Sequence, residues 1–482
     1  MKRSRIALTG LVCLLGIVNC SVNPVTGKKN LLVMSEQQEI ALGADADPQI
    51  VATYGLYEDQ KLQDFIDKKG NEMVAVSHRP DLKFQFRIMD SPVINAFAIP
   101  GGYVYFTRGI LAHFNNEAEF AGVLGHEIGH VTARHSAIQQ RNATVAQVLL
   151  IAGIVLSPTI REFANEAQEL TSLLFLKFSR DNESQADELG VQYSTKIDYD
   201  SHNMANFFKT LNRVQQQSGA SDIPTFLSTH PDPLDRYAKV EEETNKWQKK
   251  VNTPPYEVNR DNYLRMIDGI IYGEDPRQGY VDNNVFYHPE LLFQFPTPAN
   301  WSVSNMPSQV QMVPQDGKAL LLFTLSGEST LQQAASKDAE QYQLTPVTSK
   351  STSVNGLSAL EVSSEQVNAQ DPTQNLSVLS YYISYDNKIY VFHGVALKTD
   401  FDPYQTIFLN SMRQFRRLTD RRKIDVKPEH LAVRTVSRTN SLRNILTQYG
   451  IESKRLEEIA ILNSMELDEE VPAGTLIKTV TK

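Results

Sequence analysis

Along the chain the spacing of apolar positions changes period several times, and each change marks a different element. Ser35 followed by Gln38 forms a capping box, which predicts a helix through the Glu39–Gly43 region. Helical spacing from Asp59 to Val76 predicts a second, amphipathic helix. Lys83 to Met89 alternates apolar and polar residues, as does the stretch from Asn95 into Phe106, so a small sheet is expected there. Helical spacing returns from about Asn116 to Gln139, with Asn116 as N-cap and Glu119 placed to reach back to it. Residues 201–218 and 232–250 predict two more helices, the second with a solvated charged face from Glu241 to Lys250. The intervening runs Ala143–Leu156 and Leu173–Phe178 are largely apolar. At about fourteen residues the first is short for a membrane span, which favours a buried core helix and leaves a membrane-touching or site-covering segment open.

After Tyr256 the composition changes. Residues 280–415 alternate strand-like runs with the turn pairs Asp316-Gly317, Asn355-Gly356 and Asp386-Asn387. Thr330–Tyr342 predicts a helix, and Asp402-Pro403 caps another that ends near Met412. His288 and His393 in this region read as structural, since no metal-type cluster surrounds them. A basic connector, Arg413–Lys427, leads to Leu431–Val436 as strand, Ser441–Tyr449 and Lys454–Asn463 as helices, and Gly474–Val480 as strand, a βααβ unit.

The candidate chemistry lies in the Asn116–Gln139 helix, at Gly125-His126-Glu127-Ile128-Gly129-His130. Residues four apart share a helix face, so His126 and His130 can hold one ion. Glu127, turned about 100° from His126, stays off the ion but within reach of a water on it. A zinc protease helix needs that arrangement: two neutral imidazoles on the metal and a carboxylate that takes a proton from the water. A catalytic zinc usually takes three protein ligands, and Glu183, in the segment Ser179–Gly190, offers the third. Asp187, one turn on, is placed to accept the free ring N–H of a ligand histidine and fix its tautomer. Taken alone, Glu183 and Asp187 read more readily as a solvated acidic helix face.

Taken together, HEIGH and the later RDNESQADELG resemble the HtpX/CAAX-protease family of zinc metallopeptidases, in particular its periplasmic BepA-like and LoiP-like branch. Asn95-Ala96-Phe97-Ala98-Ile99-Pro100-Gly101-Gly102, Thr107-Arg108-Gly109-Ile110-Leu111, and Ser228-Thr229-His230-Pro231 with Arg236 also carry the resemblance, which covers roughly residues 21 to 250. It implies a mainly helical, gluzincin-type domain with a small sheet, one Zn2+ per chain on His126, His130 and Glu183, and Glu127 as general base and then acid. It implies that His230 faces the zinc and gates or occupies the water site, and that Arg236 holds substrate or stabilises the oxyanion. The strand Asn95, Ala96, Phe97, Ala98 would offer an edge on which substrate adds, a mode that tolerates many side chains. The implied substrates are misfolded or stalled envelope proteins, especially outer-membrane β-barrels, with the outer-membrane assembly machinery as a candidate partner. Residues 280–415 resemble PsbP/Mog1-type sandwiches. Leu456-x-x-Ile459-Ala460-x-Leu462-Asn463 with Pro472-Ala473-Gly474-Thr475-Leu476 resembles a LysM domain, which implies peptidoglycan contact or a non-binding scaffold of that shape.

The expected organisation is α+β and multidomain: a signal peptide (1–19), a zinc metallopeptidase domain (20–265), an α+β domain of unassigned role (280–415) and a LysM-like βααβ unit (428–482). Lys2, Arg3 and Arg5 before the apolar run Ile6–Val18 mark the secretory signal. Ile17-Val18-Asn19-Cys20 resembles a bacterial lipobox, with Asn19 where a smaller residue is usual. It implies a lipidated Cys20 and, from Ser21, sorting to the outer membrane of a Gram-negative bacterium. Removing residues 1–19 leaves Cys20 as the one cysteine, so stability must come from packed cores. It also takes the formal charge from −9 to −12, because three basic residues and no acid leave with it, which argues against nucleic acid as a partner. Three readings stand: a periplasmic zinc endopeptidase, a chaperone or assembly factor whose zinc site is gated by His230, and a cell-wall hydrolase or wall-binding protein.

Overall fold

The computed structural model describes residues 20–27, 29–31, 34–137, 150–151, 154–166, 178–218, 226, 230 and 233–482. The signal-peptide reading of 1–19, most of the two apolar runs 143–156 and 173–178, and the neighbours of His230 in its motif lie outside the described residues.

Two helices, α1 (Glu36–Tyr54) and α2 (Gln60–Ala75), lead in. The Ser35 hydroxyl accepts the Gln38 N–H and the Gln38 side chain accepts the Ser35 N–H, so the capping box forms, and the helix continues past Gly43 with Pro48 inside it. The alternating stretch becomes β1 (Gln85–Met89), β2 (Ala96–Ile99) and β3 (Tyr103–Thr107), in the order β1-β3-β2. β3 pairs parallel with β1 and antiparallel with β2, so β2 is an edge strand. Then follow α3 (Arg108–His113), α4 (Glu117–Thr132), α5 (Pro158–Glu166), α6 (Arg180–Lys196), α7 (His202–Ser218) and α8 (Pro233–Val251).

Helix α4 carries the His-Glu-x-x-His motif and is buried from Ala118 to Thr132. Asn116 caps it as the sequence implies, its side chain accepting the Glu119 N–H at 2.8 Å. Glu119 reaches one residue further than expected: its carboxylate accepts the Asn115 N–H at 2.7 Å. The helix also stops at Thr132, short of Gln139, because Arg134 takes a left-handed φ of 60°. That turn brings the Arg134 guanidinium to Glu39 at 2.9 Å. Against α4 lies α6, and glycines let the two backbones touch. A Cβ on Gly125 would stand 2.8 Å from the Gly190 carbonyl oxygen, and one on Gly190 would stand 3.0 Å from Gly122 O and from His126 N.

The α+β region is built on an antiparallel sheet of seven strands: β4 (Ser302–Met306), β5 (Gln309–Val313), β6 (Ala319–Ser326), β7 (Thr345–Val354), β8 (Leu357–Gln366), β9 (Leu376–Tyr385) and β10 (Lys388–Leu397), in the order β4-β5-β6-β10-β9-β8-β7. Between β6 and β7 runs α9 (Leu331–Gln341), and after β10 runs α10 (Phe401–Met412), which begins before Asp402 rather than at it. One face packs Phe323 and Phe392 against Phe295 and Phe408. The other face is shared by α9 and α5: Ile160 and Phe163 pack on Leu320, Leu322 and Val395. The expected boundary at residue 265 is therefore crossed by α5, a helix that lies between the two metal-bearing segments in sequence.

The C-terminal unit follows the expected path as β11 (Glu429–Thr435), α11 (Leu442–Gln448), α12 (Leu456–Leu462) and β12 (Leu476–Thr481). It does not stand apart. β11 pairs with β12 on one side and with Ile271–Tyr272 on the other. Leu446, Leu462 and Ile477 belong to the same apolar cluster as Phe114, Phe120 and Phe207 of the metal-bearing region. Replacing Gly125 by Ala forces α4 away from α6 and should lower the unfolding free energy by about 1–3 kcal/mol in a urea titration, the usual cost of overpacking. An unchanged midpoint and slope would show that the helices have room to part.

Candidate metal centre

Four side chains converge between α4 and α6: His126, His130, Glu183 and His230, all buried, with one ligand atom from each lying within 4.8 Å of the others. His126 and His130 reach one point because they are one turn apart on α4, and their Nε2 atoms stand 3.0 Å apart. Glu183, in the first turn of α6, places its oxygens 3.5 Å from His130 Nε2 and 3.7 Å from His126 Nε2. His230 Nδ1 lies 2.9 and 3.0 Å from the two Glu183 oxygens and 3.2 Å from His126 Nε2. The donor set is two imidazoles, a carboxylate and a third imidazole, which suits zinc.

Behind these groups, hydrogen bonds set which ring nitrogen carries the proton. Asp187 Oδ1 accepts from His126 Nδ1 at 2.9 Å, which leaves the His126 Nε2 lone pair facing the site. For His130 the partner is His135: their Nδ1 atoms are 3.0 Å apart, and His135 Nε2 is 2.9 Å from Gln185 Oε1. Since Gln185 Oε1 only accepts, His135 donates from Nε2, its Nδ1 accepts, and His130 must donate from Nδ1. The His130 Nε2 lone pair is thereby free for a metal. Burial drives the His130 imidazole well below its ordinary pKa and takes His135 down to about 4, so both are neutral at pH 7.

Arg236 is buried with its fork on Asp187, Nε at 2.8 Å from Oδ2 and Nη2 at 2.6 Å from Oδ1. Its Nη1 lies 3.3 Å from Glu183 Oε2 and donates to the His230 carbonyl at 3.4 Å. Burial alone would raise the Glu183 carboxyl; His230 and Arg236 overcome it and hold the group well below the usual carboxylate range. Asp187 is likewise lowered against its burial, mainly by Arg236. His230 moves the other way: burial lowers it, Glu183 raises it more, and the net shift is upward. Burial raises the Glu127 carboxyl, and Glu127 Oε1 has no hydrogen-bond partner among the described residues while standing 3.7 Å from His230 Nε2. An orphaned buried carboxylate oxygen beside three ligand side chains fits a residue that acts on a water held at the metal.

The four residues of the expected substrate strand are buried. Asn95 hydrogen-bonds through its main chain to Thr107, its side-chain oxygen has no partner among the described residues, and Ala96, Phe97 and Ala98 lie on the edge strand β2. Just before it, the Ile94 carbonyl accepts the Phe226 N–H at 3.2 Å, and the Phe226 ring lies 4.6 Å from that of His230. Phe178 stacks on His130 with ring centroids 4.1 Å apart and belongs to the apolar cluster that holds Phe97. Cys20 opens a short strand, Cys20–Val22, and pairs with Leu31. Sequence reasoning passed over His135, Gln185, Phe178 and Phe226. Only His135 carried a signal, a third histidine five residues beyond His130.

Two histidines and a glutamate on facing helices, with a second carboxylate on the first helix aimed at the centre, make the arrangement that a helix-borne metallopeptidase requires. Sequence comparison places it more closely. Residues 60–244 match the model of peptidase family M48. A beta-barrel assembly-enhancing protease of Yersinia pestis is 32% identical over 230 residues, 46% of this chain and 47% of its own length. The protein of the same name from Escherichia coli strain K12 is 30% identical over 228 residues, 45% and 46% of the two chains. A mitochondrial metalloendopeptidase OMA1 of Schizosaccharomyces pombe is 29% identical over 228 residues, 45% and 65%. The chain thus spans about half the length of the bacterial relatives it matches. A solution structure of cyanobacterial PsbP from Synechocystis sp. PCC 6803 overlaps 28% of this chain and 91% of its own at 10% identity, with a TM-score of 0.24, which carries no argument about the fold.

Two outcomes follow from the hydrogen-bond pattern. Asp187→Asn should weaken zinc affinity about 10–100-fold in a competitive chelator titration, since it removes the acceptor that fixes His126 and half the partner of a buried arginine. In metal-stripped protein burial lowers the His230 imidazole, but Glu183 raises it more, so its net shift favours the protonated form. Zinc binding should therefore release protons, more of them as the pH is lowered towards the ordinary histidine range, read by calorimetry in buffers of different ionisation enthalpy, and His230→Ala should reduce that release.

Proposed function

We propose that this chain is a zinc-dependent endopeptidase of the bacterial cell envelope whose site is held latent by His230. The observation that carries the reading is the position of His230, with Nδ1 on Glu183 at 2.9 Å and Nε2 turned towards the orphaned Glu127 oxygen at 3.7 Å. His126, His130 and Glu183 would hold the ion, and His230 would take the remaining place until it moves. When bound, zinc supplies Lewis acidity towards a water and a peptide carbonyl. Glu127 takes the proton from the attacking water and returns it to the leaving nitrogen; burial, which raises its carboxyl, suits a group that must hold a proton between steps. Arg236 acts behind the ligands by fixing Asp187 and Glu183, since its fork is taken up by them rather than offered to an oxyanion. Substrate joins β2 as an added strand along Asn95, Ala96, Phe97 and Ala98, a geometry supported by its edge position.

The bacterial relatives are named as beta-barrel assembly-enhancing proteases, which supports β-barrel proteins under assembly as clients; misfolded or stalled outer-membrane proteins, with the outer-membrane assembly machinery as a partner, are the reading we propose. The N-terminal pattern supports a periplasmic protein anchored to the outer membrane through a lipid on Cys20, and among the described residues no helix is long and apolar enough to cross a membrane. The closeness of His230 to Glu183 also favours a second reading, an assembly factor that binds clients and cleaves little. Cleavage of an unfolded protein by the full zinc-loaded chain separates them. His230→Ala should raise the rate on the order of tenfold by removing a competitor for the water place, and Glu127→Gln should abolish it. A slower His230→Ala variant would give the histidine a catalytic task instead. A Glu127→Gln chain that still supports client assembly at the full level would favour the assembly factor.

A further inference from the structure

The C-terminal unit reaches into the support of the metal helix through one side chain. Lys478, on β12, is fully buried. Its Nζ lies 2.9 Å from the carbonyl oxygen of Ala112, 3.0 Å from that of Phe114 and 3.4 Å from that of His113. These oxygens close α3, and carbonyls at a helix end have no intrahelical donor. Burial takes the Lys478 amine down to about 7 against the pull of Glu119; in its protonated form it carries three donors and no acceptor and can serve all three oxygens. From this point the chain passes through Asn115 and the cap Asn116 directly into α4.

Other contacts fix the same corner. Asn115 Nδ2 donates to Ser464 Oγ at 2.8 Å, Ser464 Oγ lies 2.7 Å from Thr210 Oγ1 on α7, and Arg213 donates to the Met465 carbonyl at 2.9 Å. Glu119, whose carboxylate holds the Asn115 N–H at the start of α4, is itself buried. The cations that act on it are Lys478 and Arg260, and Arg260 in turn donates to the Leu476 carbonyl at 2.7 Å. The opposite end of α4 is pinned by different parts: Arg79 donates to the Val131 carbonyl at 3.1 Å and to Glu39 at 2.9 Å. One end of the metal helix is thus tied to the N-terminal helix α1, and the other to a unit whose sequence lies hundreds of residues away.

We propose that Lys478 is a positioning residue of the metal centre, fixing the start of α4 and through it His126 and Glu127, and that the βααβ unit is a built-in part of the peptidase rather than a detachable module. From the cap at Asn116 to His126 is about 15 Å of continuous helix, stiff enough to carry a shift at one end to the other. A displacement of about 1 Å at a reacting group can cost on the order of 100-fold in rate. Only the activity arm of this inference rests on the peptidase reading.

The test uses the full chain with zinc. Lys478→Met keeps the volume and removes the donors; it should release zinc to a chelator about tenfold faster and lower kcat about 10–100-fold, with KM within twofold. In Lys478→Ala, added n-propylammonium should restore much of the loss and n-propanol should not, which a lysine that only fills space would not show. Wild-type zinc release and kcat in Lys478→Met, whatever its melting temperature, would overturn the proposal, as would equal recovery with the neutral alcohol. Should both lysine variants fail to fold, Ser464→Gly carries the test, because glycine accepts the φ of 54° found there while losing the hydroxyl that joins Asn115 to α7. Faster zinc release supports the inference and an unchanged rate overturns it. A wild-type chain that binds zinc but cleaves nothing would sink the peptidase reading, and zinc release would still decide the role of Lys478.

Discussion

The close approach of α4 and α6 is the constraint on which the metal centre depends. Neither helix holds a complete ligand set: His126 and His130 come from one and Glu183 from the other, while His230 comes from neither. The ligand atoms meet only if the backbones lie nearer than side chains normally allow, and Gly125 and Gly190 supply that distance. The contact also removes the site from water. Inside it, each charge must have a partner, because an isolated buried ion is strongly disfavoured. Arg236 answers Asp187 and Glu183, and His230 answers Glu183. The same logic fixes tautomers: a carboxylate behind His126 and a histidine–glutamine relay behind His130 turn both Nε2 lone pairs inward.

Around this pair of helices the rest of the chain acts as framework. Arg79, Glu39 and Arg134 join α1 to the end of α4, and Lys478 joins the C-terminal unit to its beginning. Between α4 and α6 in sequence, helix α5 packs on one face of the seven-stranded sheet. The N-terminal helix α1 and the C-terminal unit are thus joined by hydrogen bonds to the two ends of α4.

Most of the centre was legible in the sequence because helical spacing is a local rule. His126, Glu127 and His130 follow from one turn of helix, and Glu183 with Asp187 from another. Turn chemistry was equally local, and Asn355-Gly356 and Asp386-Asn387 take the left-handed conformations their residue types favour. What the sequence hid is long-range. The end of α4 at Thr132 depends on Arg134 finding Glu39, and the role of His135 depends on Gln185 arriving from α6. Arg236 read as a substrate-facing charge because nothing local says that Asp187 and Glu183 will take up its fork. The βααβ unit looked separable because its own pattern is complete; its shared core with Phe114 and Phe207 appears only once the chain is folded.

The central claim is that His126, His130, Glu183 and His230 form one nitrogen-and-oxygen metal site. X-ray absorption at the zinc edge, on the full chain loaded with one equivalent of zinc, tests it most directly. The account predicts four light-atom ligands at about 2.0–2.1 Å with imidazole scattering that weakens in His230→Ala. Sulfur in the coordination shell, a six-oxygen shell, or a spectrum unaltered by His230→Ala would contradict it.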